Sequence, residues 1–600
     1  MSKNLNKSMT KKANIFLLMS IMLLAFFLRT FRIDQAPSRL THDEMSIAYN
    51  AYSIVKTGKD EWGKTLPLDF AAFGDHKLPA YIYATVPFVA LFDMNHLSLK
   101  LASILSGVLL VLISYFIALE LKKDKVNREA RESALGHQKF ALFTATLIAI
   151  SPWSIQLSRM AFESNMALTM FSFALLCILK LGRNSAKPTG NKKSLYAILA
   201  GIFFGLTFYT YIAYRLIIFL LMIYLAYRSF IKDKTYKRIF IYLLVSFGLI
   251  LLPLSPQLFG RAGTARFSQV SIFNDQGIPD KVTDFHNFCF LTSPRILPRV
   301  CRLIYNKPIF IVEKFTKNYV KFLFPTFLFI TGDKHEYLND PNFAQFPFIL
   351  SFFYLIGLFL FLKKKDQKYN LLKVAFFIAP IPSALVGEPQ IVRGSALMIF
   401  IALFSALGLT HVIENLKKYK KTACLAITLL FAYSFVSYAV HYFYIYPAKY
   451  ESYFYPLSRD VAYYLQSEEN NYEQIYISNH FPDAHMLIAF YQKIDPVFYQ
   501  KNVVRPEPDG FGFMHPTQLG KYYFGGKNLE NMLCEAEDKT LYVGKYQKEY
   551  GSIKIFTDFS NVHKQAAVYD IDALRNKLME KNSLIKICPD FGKKIIENEN

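Results

Sequence analysis

Apolar runs long enough to cross a lipid bilayer recur from the N-terminus to about residue 445, and they restrict this chain more than any other feature. ANIFLLMSIMLLAFFLRTF and SILSGVLLVLISYFIALEL each supply about the 20 helical residues that a hydrocarbon core requires. In that solvent every backbone N–H and C=O must find a partner inside the protein, so the expected fold is a polytopic α-helical membrane protein. The first run follows Lys3, Lys7, Lys11 and Lys12, as a secretory leader would. Its apolar core is as long as a full span and no small-residue cleavage site follows, so a retained first helix is expected.

The formal net charge of +24 suggests nucleic acid until its placement is read. Residues 1–12, 122–139, 183–193, 228–238, 363–373 and 414–421 hold 28 Lys and Arg in 71 positions, all between apolar runs. Positive residues in short loops mark the cytoplasmic side, so the excess encodes topology and no nucleic-acid partner is expected. Apolar stretches 78–94 and 98–121 follow the first span. If both crossed, 122–139 and every later basic loop would lie outside; if only 98–121 crosses, all six basic segments lie inside. Pro79, Pro87 and Asp93 also suit 78–94 to the membrane surface rather than its core.

This places about eleven spans near 13–33, 98–121, 139–157, 164–182, 195–211, 214–230, 239–256, 346–362, 373–387, 394–413 and 422–445, in a cell (plasma) membrane. The N-terminus is then cytoplasmic, and the extracytoplasmic segments are 34–97, the loops near 152–163, 208–215 and 387–393, the long 257–345, and everything after 446. Residues 1–445 are expected to form the membrane domain. Residues 446–600 change character: QIYISN, KTLYVGKY and SIKIFTDF read as strands and DAHMLIAFYQKI as a helix, which predicts a small α/β domain outside. Four of the six cysteines fall outside, and Cys289 with Cys301 and Cys534 with Cys588 are the simplest disulfide pairings, with free thiols the alternative.

Chemistry-bearing residues concentrate in the outer loops. His42, Asp43 and Glu44 follow the first span and precede an expected surface helix, 46–56. A carboxylate there is placed to take a proton from a hydroxyl nucleophile, whereas the structural alternative is a solvated loop or a helix N-cap at Asp43. Arg159 in SPWSIQLSRMAFESN, Arg215 in YTYIAYR with Tyr209 and Tyr211, and Arg393 in GEPQIVRGSA each mark a short outer loop. Topology does not require arginine outside, and its planar fork suits phosphate. Lys77 adds a cation beside Asp75 and His76. Glu163, four residues after Arg159, reads either as part of the site or as its helical ion-pair partner.

The Asp-Glu pair, YNAYSIVKTGKDEWGKTLPL, GDHKLPAYIY and SPWSIQLSRMAFE, in that order, resemble the GT-C class of polyprenyl-phosphate-sugar-dependent membrane glycosyltransferases, which includes protein O-mannosyltransferases and the aminoarabinose transferase of lipid A. The resemblance extends over about residues 13–445, through FLFITGDKHEYLNDPNFAQFPF and PQIVRGSALMIF. It implies a GT-C-like fold with surface helices, transfer from a polyprenyl-phosphate-linked sugar to an acceptor hydroxyl with inversion, and a site facing the exterior where the flipped donor is found. By position, Asp43 matches the first-loop acidic residue taken as catalytic base, with Glu44 beside it. Glu163 matches the second-loop acidic position, where relatives carry Asp. Lys77 resembles the lysine that meets the lipid phosphate, although a Glu-Lys-Pro run stands there in the aminoarabinose enzymes and His76-Lys77-Leu78-Pro79 stands here. His42, Asp75, Arg159, Tyr209, Tyr211, Arg215 and Arg393 complete the expected substrate-binding set.

His42, Asp43, Glu44, Asp75 and His76, or Asp333, His335 and Glu336, supply nitrogen and oxygen donors for a divalent metal ion, with His76 the named ligand; none has HExxH or paired-cysteine spacing. The implied partners are the lipid-linked donor, membrane lipid, and a protein, glycan or glycolipid acceptor. The alternative function is a transporter or flippase of lipid-linked glycans. Against it, ionisable residues are sparse inside the spans and no pair of broken helices repeats in two halves.

Overall fold

The computed structural model describes residues 2–37, 40–72, 76–122, 130–182, 191–258, 271–292, 297–416, 419–450, 458–508, 514–557, 563–581 and 583–589. Asp75 and residues 123–129 and 183–190 of two of the basic segments lie outside them. The chain divides into two compact units, one of residues 1–31 with 102–442 and one of residues 32–101 with 443–600.

Helix occupies each of the eleven expected stretches. Among the described residues, seven helices are individually long and apolar enough to cross a membrane, or eight if one bent pair counts as a single span. Helices 191–208, Leu350–Lys363 and Gln367–Ile378 account for the remaining stretches. The expected span 139–157 is that bent pair, Gly136–Ile150 and Pro152–Arg159, turned by 52°. Pro152 has no N–H to continue the first helix, and the Ser151 side chain accepts from the Ser154 N–H to start the second.

In the first unit, helix Met398–Asn415 is buried from Met398 to Ala406 without a break, as a helix apolar all round should be. It packs against Leu350–Lys363 through reciprocal glycines. A methyl group on Gly357 would overlap the Phe404 carbonyl, and one on Gly408 the Phe353 carbonyl. Small residues that let backbones approach are how helices associate where lipid removes the hydrophobic drive. Helix Lys420–Val440 turns Leu425, Leu429, Leu430, Tyr433 and Val436 outward, an apolar face suited to lipid.

The second unit contains a seven-stranded mixed sheet: β1 Gln474–Ser478, β2 Val503–Val504, β3 Gln518–Leu519, β4 Tyr522–Gly525, β5 Thr540–Lys545, β6 Lys554–Thr557 and β7 Lys564–Asp570. Its order is β2-β3-β4-β1-β5-β7-β6, with β1 parallel to both neighbours and the other pairs antiparallel. The three strands and the helix expected from sequence all form, the helix over Ala484–Tyr491. Leu533, Tyr542, Tyr569 and Leu574 close one face, stapled by Cys534–Cys588; the second expected disulfide, Cys289–Cys301, forms in the first unit.

Residues 42–93 of the same unit pack on this sheet's helices. Helix His42–Thr57 lies against helices Ala484–Tyr491 and Pro496–Asn502. Tyr49 Oη donates to the Ile494 carbonyl at 3.0 Å, Gln500 Nε2 donates to the Asp60 carbonyl at 2.8 Å, and Lys493 pairs with Asp93. Helix Pro79–Phe92 follows, close to the expected surface stretch.

Candidate active site

Helix His42–Thr57 begins four residues earlier than the sequence suggests because Thr41 and Glu44 form a capping box. Glu44 Oε2 accepts from the Thr41 N–H at 3.0 Å and from its hydroxyl at 3.2 Å, and Glu44 is buried. The N-cap is therefore Thr41 rather than Asp43, and Glu44 serves the start of the helix. Asp43 stands in the first turn with its side chain 40% exposed, in the field of the helix N-terminus. Gly58, at φ 69°, ends the helix in the left-handed conformation that glycine tolerates.

The ammonium of Lys77 pairs with Asp43 Oδ1. Lys77 is held from both sides: its N–H donates to the Phe70 carbonyl at 2.8 Å, its own carbonyl accepts from Phe70 N–H at 3.1 Å, and Pro79 opens the next helix. Its side chain is only 5% exposed, so the cation is presented by a nearly buried stem. His42 Nε2 lies 3.7 Å from the same Asp43 oxygen and its Nδ1 lies 4.0 Å from Asp483 Oδ2. Asp483 Oδ1 in turn accepts from His515 at 2.7 Å. His76 turns instead to Asp69, 2.6 Å away.

A second acidic pair is buried in the same unit. Asp60 Oδ1 accepts from the Trp62 and Lys64 N–H groups at 2.9 and 2.8 Å, tying the short loop closed by the Lys59–Thr65 bridge. Asp60 Oδ2 and Glu61 Oε2 are buried without a hydrogen-bond partner among the described residues. Burial pushes the Glu61 carboxyl up to about 7, opposed by the Arg505 guanidinium and reinforced by Asp60. Burial also raises Asp60. Arg505 stacks 3.8 Å over the Trp62 ring and donates to the Glu61 carbonyl at 3.2 Å. His485, wholly buried, is pushed down to about 3 by burial and is neutral at physiological pH.

The first unit carries the remaining expected residues. Arg159 is fully buried, donates to the Leu28 carbonyl at 2.9 Å and lies 5.7 Å from the Tyr442 ring. It ends one helix and Glu163 begins the next, so the four-residue spacing does not place them one turn apart on a helix. Arg215 Nε and Nη2 both donate to the Phe208 carbonyl at 3.2 Å, tying the turn that holds Tyr209 and Tyr211. Tyr209 Oη donates to the Ile250 carbonyl at 2.7 Å, and Tyr211 stands beside Tyr214. Arg393 is half-buried, and its carbonyl accepts from the Ser383 hydroxyl at 2.6 Å.

Sequence reasoning missed Arg29. It is fully buried and uses its fork on the Ala25, Ile148 and Ala149 carbonyls and the Ser154 and Ser158 hydroxyls. Ile148 and Ala149 end the first half of the bent pair, where carbonyls lose their helical donors, and Arg29 supplies them. An arginine inside an apolar run was the available signal. Asp333 likewise anchors a loop: its carboxylate accepts from His335 Nδ1 at 2.7 Å and from the Ile391 N–H at 2.8 Å, while Trp153 Nε1 donates to the Ile391 carbonyl at 2.9 Å.

No group of three or more His, Cys, Asp or Glu side chains among the described residues is arranged to hold a metal ion. What the Asp43–Lys77 pair can do chemically is accept a proton at a carboxylate while offering a cation to an incoming anion.

No family model matches this chain, and no curated protein matches it. Among solved structures it is similar to the oligosaccharyltransferase of Archaeoglobus fulgidus in complex with Zn and sulfate, with TM-score 0.47 and 16% identity over 79% of this chain and 61% of that one. A second structure of that enzyme, tethered to an acceptor peptide containing the NVT sequon, gives TM-score 0.48 and 15% identity over 80% and 63%. In these two structures the chain spans less than two thirds of the archaeal enzyme's length. ArnT from Cupriavidus metallidurans bound to undecaprenyl phosphate gives TM-score 0.48 and 11% identity over 92% of this chain and 97% of that one. These are GT-C glycosyltransferases, the class that the quoted motifs resemble.

Proposed function

We propose that this chain is a glycosyltransferase that moves a sugar from a polyprenyl-phosphate-linked donor to an acceptor hydroxyl at the extracytoplasmic membrane face, with Asp43 as general base. The observation that carries the reading is the ion pair between Asp43, in the first turn of its helix, and the nearly buried Lys77. The order of the acidic, lysine and arginine motifs along the sequence supports it, as does the placement of the basic loops.

In this reading the donor's bond between the anomeric carbon and the phosphate oxygen breaks with its electron pair leaving on the phosphate. The sugar passes through an oxocarbenium-like transition state, and the acceptor oxygen attacks the opposite face, inverting the centre. The acceptor proton goes to Asp43. Lys77 pairs with Asp43, and an anionic phosphate competes for the ammonium. Charge growing on the departing phosphate then strengthens the contact to Lys77 in the transition state. Arg215 and Arg393, with Tyr209 and Tyr211, are retained as substrate-binding residues, Arg159 as a residue orienting its loop and Glu163 as a second acidic group. The N-terminus is cytoplasmic, and residues 446–600 form the extracytoplasmic domain. No step is assigned to a metal.

The test is mass analysis of surface glycans, glycolipids and glycoproteins in cells lacking the chain. A modification that disappears and returns with the wild-type protein but not with Asp43→Asn supports the reading. Full restoration by Asp43→Asn contradicts it.

A further inference from the structure

Asp483 occupies the N-cap position of helix Ala484–Tyr491, where an aspartate usually accepts from the backbone N–H groups two or three residues on. Here it makes no such bond. Its backbone stands at φ 50°, the left-handed region that a residue with a Cβ rarely adopts. One oxygen accepts from His515 Nδ1 at 2.7 Å and the other lies 4.0 Å from His42 Nδ1. His42 presents its other nitrogen 3.7 Å from Asp43 Oδ1. The result is an alternating row of carboxylate and imidazole, Asp43–His42–Asp483–His515. Asp483 is 8% exposed at its side chain and the row ends at His515, which is 54% exposed. Among the described residues, the charged or titratable groups that act on it include Lys77 on Asp43, Glu44 in its capping box, the buried Tyr499, and the buried His485, whose electrostatic neighbours are Asp483, Arg505, His515 and His42.

We propose that Asp483 and His515 of the C-terminal domain are positioning residues of the transferase site, which hold His42 against Asp43 and stabilise it as it takes the proton from Asp43 and passes it to solvent. The inference rests on the reading of Asp43 as base. It also gives the C-terminal domain a part in the reaction. In each turnover the acceptor proton arrives on Asp43 and passes to His42 Nε2, which makes His42 an imidazolium whose Nδ1–H faces the Asp483 carboxylate. His515 Nδ1–H, donating to the other Asp483 oxygen, holds that carboxylate in place. His42, 30% exposed at its side chain, then gives its Nε2 proton to water and is neutral again. One proton enters and one leaves, every group returns to its starting state, and none is oxidised or reduced. Separations of 3.7 and 4.0 Å commonly tighten to hydrogen bonds when substrate occupies a site.

The test uses membranes carrying the full chain and, as donor, the polyprenyl-phosphate-sugar fraction extracted from the cells that make it. Polyprenyl phosphate released is followed by mass spectrometry across about pH 5 to 9. Asp483→Asn and His515→Gln are expected to lower kcat about tenfold or more with KM within about twofold, and to remove the inflection in the histidine range from the pH–rate profile. Asp483→Glu is expected to restore both. His515→Gln changes an exposed side chain, and retention of the Cys534–Cys588 disulfide checks that either variant is folded. Wild-type kcat and profile in both variants, with Asp43→Asn inactive, overturn the inference and leave the Asp43 reading intact. A lower rate with an unchanged profile also overturns it, because that is the signature of a structural role. Wild-type activity in Asp43→Asn overturns the reading and the inference together.

Discussion

Replacing Glu61 by Gln should abolish a pH dependence of stability that the buried carboxyl imposes on the second unit. Burial raises this group from its ordinary 4.5 to about 7, with Arg505 opposing and Asp60 reinforcing. At 1.36 kcal/mol per pKa unit, the difference corresponds to about 3 kcal/mol. Between these values the folded chain holds a proton that the unfolded chain has lost. The stabilisation is therefore fully present below about pH 4.5 and is lost as pH rises through about 7. Glutamine stays neutral throughout, although its NH2 enters a place where Glu61 Oε2 has no partner, which costs about 1 kcal/mol at every pH. The slope is thus the diagnostic quantity. Thermal unfolding of the purified protein can be followed by tryptophan fluorescence, since one of the two tryptophans, Trp62, adjoins Glu61. Between about pH 5 and 8 the midpoint of the variant should gain on that of the wild type by roughly 6 °C or more. Parallel midpoints over this range would refute the burial argument.

Three further outcomes follow from particular contacts. Lys77→Gln should lower transfer by about 100-fold or more, with the greater part of the loss in kcat, because the cation is asked to act as charge grows on the phosphate; a loss confined to KM would assign it to ground-state binding alone. Gly408→Ala should reduce the yield of folded protein and its thermal midpoint by about 1–3 kcal/mol of overpacking, because its methyl group overlaps the Phe353 carbonyl; an unchanged midpoint contradicts the close helix approach. Removing Cys534–Cys588 as a double Cys→Ser variant opens a loop of sequence separation 54 and should destabilise the second unit by up to about 4 kcal/mol, read as a loss in thermal midpoint and as faster proteolysis after residue 446.

The membrane helices were legible because lipid demands about 20 apolar residues at a time, and that demand writes itself into unbroken runs such as 103–121. The break at Ser151–Pro152 is also written there, as a serine N-cap followed by proline inside the expected span 139–157. Strands β1, β5 and β6 show in the sequence, whereas β2 and β3, two residues each, are too short to leave a pattern. The capping box was readable as Thr41 three residues before Glu44, yet the Asp-Glu pair drew a chemical reading of both carboxylates. Asp43 and Lys77 were both named from sequence, but not their pairing, which joins positions 34 residues apart. The approach of Asp483 to His42 was beyond reach. Contacts across more than 400 residues have no periodicity, and an N-cap aspartate that declines to cap looks in sequence like one that does.

The most direct measurement is made on purified chain in lipid vesicles, supplied with polyprenyl-phosphate-linked hexoses and pentoses and extracts of the cell surface as acceptor. Polyprenyl phosphate and glycosylated acceptor are quantified together by mass spectrometry. The account predicts that the two form in equal amounts with the wild-type chain and fall by about 100- to 10,000-fold with Asp43→Asn. Movement of the lipid across the bilayer without cleavage of its sugar–phosphate bond, or wild-type transfer by Asp43→Asn, would contradict it.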